Sequence, residues 1–130
     1  MEKKKIIKVR GGAPETAPLS PGVSFRPFLF ISGQVSKDLK TGNPRLGTIE
    51  EETEQVLSNI EAILKEAGSS PKYVLKTTVF LRDMKDFPKM NEVYKRHFPE
   101  ESPARSTVGV ALVGDYKVEI EAVAFVPQKK

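Results

Sequence analysis

The chain reads as an α+β sandwich, a sheet carrying two helices on one face, and three features of the sequence predict it. Runs rich in β-branched and aromatic residues recur at both ends of the chain. Two longer stretches carry apolar residues at helical spacing. The elements follow the order β-β-β-α-β-α-β-β, which groups strands apart from helices.

Residues 4–10 alternate weakly around Ile6, Ile7 and Val9 and suit a first strand. In residues 11–22, Pro14, Pro18 and Pro21 remove backbone donors while Gly11 and Gly12 loosen the chain, so this is a loop. A loop of that length is either a binding loop or a surface excursion. Residues 23–26 make a short strand, and residues 28–36 a mostly buried one. Ser32-Gly33 interrupts it, because glycine within a strand marks a bulge or a close backbone approach. Residues 38–44 supply turn chemistry, with Gly42 free to take a positive φ.

Thr48-Ile49-Glu50-Glu51 matches a capping box and starts a helix. Ile49, Val56, Ile60, Ile63, Leu64 and Ala67 line its apolar face, Glu50 to Glu52 complement the macrodipole, and Gly68 is its C-cap. Residues 73–82 form a central strand. Asp86 caps a second helix with Pro88 in its first turn. Phe87, Met90, Val93, Tyr94, His97 and Phe98 lie on or near one face, and Pro99 closes it. Residues 106–113 and 116–126 form a closing pair of strands turned around Gly114-Asp115. Phe30, Val79, Val108, Val110, Val123 and Phe125 exceed what two helices can cover, so self-association is expected.

Composition narrows the functional classes. The 130 residues fit one domain, residues 1–130. With 38% hydrophobic and 29% charged residues and no apolar run near the about 18 residues a span requires, no membrane segment is expected. The lysines at the start are not followed by the apolar core of a secretory signal, and a cytoplasmic location is expected. The absence of cysteine excludes disulfides, thiolate catalysis and cysteine-based zinc sites. His97, the sole histidine, leaves little for a histidine metal cluster and is read as a packed or helix-terminal residue rather than a catalyst. The formal charge of +4 owes much to Lys3-Lys4-Lys5 and Lys129-Lys130, read as solvated tails, so nucleic acid is not expected as a partner.

The chemistry concentrates near the C-terminus. Arg105 heads one apolar strand and Glu119 lies on the next, where the two can meet across a hairpin. A guanidinium offers a carboxylate two parallel donors, which suits Arg105 either to anchor a small organic acid or to pair with Glu119 structurally. Glu119 and Glu121 share one strand face with Val123 and Phe125. In a cleft, Glu119 could orient water or carry a proton; at an exposed edge it would do neither.

Several motifs occur together in this chain: Ile31-Ser32-Gly33-Gln34, Val74-Leu75-Lys76-Thr77-Thr78-Val79-Phe80-Leu81, residues 83–94 with Asn91, Pro103-Ala104-Arg105-Ser106 and Val118-Glu119-Ile120-Glu121-Ala122. In this order they resemble the RidA (YjgF) family of 2-iminobutanoate/2-iminopropanoate deaminases, over roughly residues 17–126. The resemblance implies a chorismate-mutase-like sandwich assembled as a homotrimer, with ligand clefts between subunits. It implies hydrolysis of reactive imines and enamines to 2-keto acids and ammonia, with no metal or organic cofactor. Arg105 would clamp the substrate carboxylate and Glu119 would position water and move protons. Ser32, the Gly33 amide, Asn91 and Thr107 would line or support the cleft.

Two positions depart from the family pattern. Leu19 stands where a tyrosine usually follows a Gly-Pro pair, removing a polar wall, and Thr107 replaces a common cysteine. The missing tyrosine adds a second reading, a trimer that binds small carboxylates or regulates without turnover, and the basic tails add a third, less favoured one, an RNA-acting protein.

Overall fold

A computed structural model describes residues 2–11 and 17–128. Strands β1 (Lys5–Ile7), β2 (Gly22–Phe25) and β3 (Phe28–Gln34) precede helix α1 (Ile49–Glu66). Strand β4 (Val74–Leu81), helix α2 (Phe87–His97) and strands β5 (Ala104–Gly109) and β6 (Val118–Phe125) complete the expected order. Residues 12–16 of the early loop and the terminal Lys129 and Lys130 lie outside the described residues. Lys5, read as part of a tail, opens β1 and pairs with Ser24.

Helix α1 begins as its sequence predicts. The Thr48 hydroxyl accepts from the Glu51 amide at 3.1 Å, and the Glu51 carboxylate accepts from the Thr48 amide at 2.9 Å. These bonds to Thr48 hold the Glu51 carboxyl below the usual range. Gly68, with φ 83°, turns the chain just past the Ala67 C-cap. Helix α2 differs in detail. Asp86 occupies the N-cap position but its side chain makes no capping bond, since it closes a 3-10 turn in a helical conformation. Asp83 caps that turn instead, accepting from the Lys85 amide at 2.9 Å.

The six strands run in the order β1-β2-β3-β6-β4-β5, with β4 and β5 parallel and every other neighbour antiparallel. This corrects the expected closing hairpin: β5 and β6 are separated by β4. The reason is the helix between β4 and β5. A strand–helix–strand crossover returns the chain to the same end of the sheet and sets the two strands side by side in parallel. Strand β6 then enters between β3 and β4, where both of its edges are paired. Its Val118, Ile120, Ala122 and Ala124 are buried against the helices.

Both helices cover one face. Leu29, Ile31, Val79 and Leu81 of the sheet join Val56, Ile60, Ile63 and Leu64 of α1 and Met90 and Val93 of α2 in one core. Val79, counted among the apolar residues that two helices could not all cover, is fully buried on the helix side, because it alternates with Phe80 and shares the side of Leu81. The other face is open and largely apolar. Phe25, Phe28 and Phe30 lie on it with 50%, 45% and 51% of their surface exposed. A pocket of about 180 Å³ on this face is lined by Phe30, Lys76, Thr78, Glu121 and Val123. No helix among the described residues is long and apolar enough to cross a membrane.

Ile60 is 1% exposed at the centre of the helix–sheet contact. Ile60→Ala is expected to cost about 2–5 kcal/mol through lost transfer energy and the cavity left behind, read from the urea unfolding midpoint.

Candidate functional site

Arg105 lies on β5 opposite Thr77 of β4. Thr77 is buried toward the helices, so Arg105 shares the helix-bearing side of the sheet. Its guanidinium carbon sits 4.7 Å from the centre of the Tyr94 ring and 5.4 Å from that of Phe87. One terminal nitrogen donates to the Asn91 side-chain oxygen at 2.7 Å. Phe87, Asn91 and Tyr94 follow one another at i, i+4 and i+7, which places all three on one stripe of α2. Tyr94 is fixed in turn by a 2.6 Å hydrogen bond between its hydroxyl and that of Thr77. Burial pushes the Tyr94 hydroxyl pKa up, opposed by the Thr77 bond and by the Arg105 charge.

Among the described residues Arg105 forms no ion pair. Its positive charge is held by two π faces and a neutral amide, interactions that orient a cation without neutralising it. Thr107 lies two residues further on the same side of β5, and its buried hydroxyl has no hydrogen-bond partner among the described residues.

Glu119 is elsewhere. It pairs with Phe80 on β4 and faces the open side of the sheet together with Glu121, Val123 and Phe125. Its neighbour is the β3 bulge, where the register shifts between Ile31 and Gln34. A Cβ built at Gly33 would collide with the Glu119 carboxylate, so any larger residue there would displace the acid from its present position at this bulge. Burial, and then the charge of Glu121, raise the Glu119 pKa.

Ser32 fastens this corner. Its hydroxyl donates to the Ser20 carbonyl and its amide donates to the Pro21 carbonyl at 3.0 Å, tying the early loop to the bulge. Leu19, just before this anchor, is 56% exposed.

The residues singled out from the sequence thus form two groups. Arg105, Asn91 and Thr107 gather at the edge strand on the helix side; Glu119, Gly33 and Ser32 gather at the β3–β6 bulge, where Glu119 faces the open side. Within the chain Arg105 and Glu119 do not meet across a hairpin, because β4 lies between their strands and their side chains leave opposite faces. Phe87, Tyr94 and Thr77 were missed as supports of Arg105. The available signal was the polar Asn91 between two aromatics at helical spacing, which otherwise reads as core. His97 pairs with Glu54 at 2.7 Å, joining α2 to α1 as a helix-terminal residue.

A family model described as Endoribonuclease L-PSP matches residues 11–126. A RutC family protein of Pyrococcus horikoshii is 46% identical over 123 residues, covering 94% of this chain and 98% of its own. A 2-iminobutanoate/2-iminopropanoate deaminase of Mus musculus is 41% identical over 122 residues, covering 93% of this chain and 90% of its own. The crystal structure of E. coli TdcF with bound serine superposes with a TM-score of 0.87 at 37% identity, covering 95% of this chain and 99% of that one.

Two measurements check this geometry. Tyr94→Phe leaves the Thr77 hydroxyl buried without its partner and is expected to cost roughly 1–3 kcal/mol in urea unfolding. The raised Glu119 pKa means the folded chain binds this proton more tightly than the unfolded chain. Stability from this group is therefore complete below the ordinary glutamate range and is lost as pH rises through the folded value. Glu119→Gln should gain stability relative to the wild type as pH climbs from about 4 toward neutrality. A midpoint difference that stays flat with pH would contradict the assignment.

Proposed function

Since the chain belongs to the Endoribonuclease L-PSP family, the RidA (YjgF) family its motifs resemble, we propose that it hydrolyses reactive 2-imino and enamino acids. Substrates such as 2-iminobutanoate and 2-iminopropanoate would yield the 2-keto acid and ammonia. The observation that carries this reading is the Arg105 guanidinium, oriented by Asn91, Phe87 and Tyr94 but without an anionic partner among the described residues. Its remaining N–H groups suit the fork geometry of a substrate carboxylate.

The reaction requires little beyond positioning. Water adds to the C=N carbon of the protonated imine, giving a carbinolamine. Proton transfer to nitrogen then expels ammonia and leaves the C=O bond. Glu119, with its pKa raised by burial and by Glu121, suits a group that takes a proton from the attacking water and returns one to the leaving nitrogen. Holding the carboxylate and the water in reacting geometry supplies the main acceleration.

In this reading the two halves of the site come from different subunits. The helix-side edge carrying Arg105 on one protomer meets the Glu119 corner of a neighbour, and repetition of that contact closes a homotrimer. Such an assembly would also cover Phe25, Phe28 and Phe30. Leu19 favours a second reading in which the carboxylate clamp persists without efficient turnover, since an aliphatic side chain at the loop offers no proton or hydrogen bond.

The decisive experiment generates 2-iminobutanoate in situ with an amino-acid dehydratase and follows its disappearance with and without the protein. Acceleration by the wild type and its loss in Arg105→Ala are expected. Arg105→Lys should lose roughly 10- to 100-fold in kcat/KM, because a point charge replaces a fork. Unchanged decay with wild-type protein, alongside 2-ketobutanoate binding that depends on Arg105, would favour the second reading. Activity indifferent to Arg105→Ala would overturn both.

A further inference from the structure

Helix α1 hides a carboxylate that the proposed reaction does not use. Glu52 is fully buried, although its neighbours Glu50 and Glu51 reach the surface. One of its oxygens accepts from the Lys117 amide at 2.9 Å. The other accepts from the Lys117 ammonium at 3.2 Å and from the Gly47 amide at 3.3 Å. An ionised group so placed is expensive, and well-packed apolar residues generally do as well for stability alone. Its partners indicate another role, since Lys117 directly precedes β6 and stands two residues before Glu119.

This end of β6 has little else to hold it on one side. Its ladder with β3 ends at the pair Gln34–Ile120, so Val118 and Glu119 lie beyond the last β3 partner. On the other side, β4 pairs with both residues, and the Arg82 amide donates to the Lys117 carbonyl at 3.1 Å. The Arg82 guanidinium gathers the incoming segment, donating to the carbonyls of Tyr116, Leu112 and Gly114 at 2.7, 2.9 and 2.7 Å. Lys117 is therefore gripped at its carbonyl by Arg82, just past β4, and at its amide by a carboxylate inside the core. The grip matters because a slip of one residue in a strand moves every side chain to the opposite face. For Glu119 that would mean leaving the Gly33 gap for the helix side.

We propose that Glu52 is a positioning residue that locks the start of β6 through the Lys117 amide and so keeps Glu119 in the Gly33 gap. The inference rests on the reading of Glu119 as the proton carrier. It separates two tasks on two strands: Glu52 governs the placement of Glu119 on β6, while the carboxylate clamp on β5 is independent of it.

The test compares Glu52→Ala with the double variant Glu52→Gln, Lys117→Met, which removes the ion pair but keeps an acceptor for the Lys117 amide. Glu52→Ala should lower kcat roughly 10- to 100-fold with KM for the imine nearly unchanged, the signature of displaced chemistry beside an intact clamp. The double variant should recover most of that loss. Amide hydrogen exchange supplies a readout that does not need turnover: protection at Val118 and Glu119 should fall in Glu52→Ala and return in the double variant, with Arg105 unaffected in both. If the wild type proves inactive, the deaminase reading fails and exchange alone decides the positioning claim. If Glu52→Ala does not fold, the double variant decides: wild-type-like kcat and protection support the lock, and their loss refutes it. A folded Glu52→Ala with wild-type kcat and protection, or one in which KM rises as much as kcat falls, overturns the proposal.

Discussion

A cation that the described residues orient but do not neutralise is the constraint around which the helix side of this molecule is arranged. Arg105 could have met a carboxylate on a neighbouring strand, and the chain has acids enough to supply one. It rests instead between Phe87 and Tyr94, with the amide of Asn91 on one nitrogen. Contacts of this kind restrict the rotamers of a long side chain at small cost to its charge. The Tyr94–Thr77 hydrogen bond extends the restriction from α2 into β4, so the orientation of the guanidinium depends on how helix and sheet are packed.

The sheet's two faces have opposite characters. The helix-bearing face is sealed by aliphatic packing, while the other leaves three phenylalanines about half exposed. Covering side chains of that size is worth about 2 kcal/mol each by area. The same open face carries Glu119, whose proton affinity already reflects partial burial within a single chain. A neighbour placed there would deepen that burial and raise the affinity further, linking assembly to chemistry.

Much of the local structure was legible because short-range physics determines it. The capping box at Thr48 and Glu51, the turn at Gly42 with φ 79° and the Ser32-Gly33 irregularity each depend on a few adjacent residues, and each occurs where those residues stand. The alternation along β6 likewise separates Glu119 and Glu121 from Ile120 and Ala122 without reference to the rest of the chain. Pairing was less accessible. Two consecutive strands joined by a turn with Gly114 suggest a hairpin, and nothing in their own residues reveals that β4 stands between them. Glu52 was unreadable for a related reason: three acids in a first helical turn look alike until the direction of the core is known.

The sequence by itself determined the elements, their order, the amphipathic faces and the family, because each follows from spacing, capping and motif within one stretch of chain. Tertiary structure alone decided that β6 lies between β3 and β4, that Arg105 and Glu119 leave opposite faces of one sheet, and that one acid of α1 turns inward to hold Lys117. Those outcomes depend on which edges and faces find partners across long separations. That is a competition among whole strands, and no local pattern records its result.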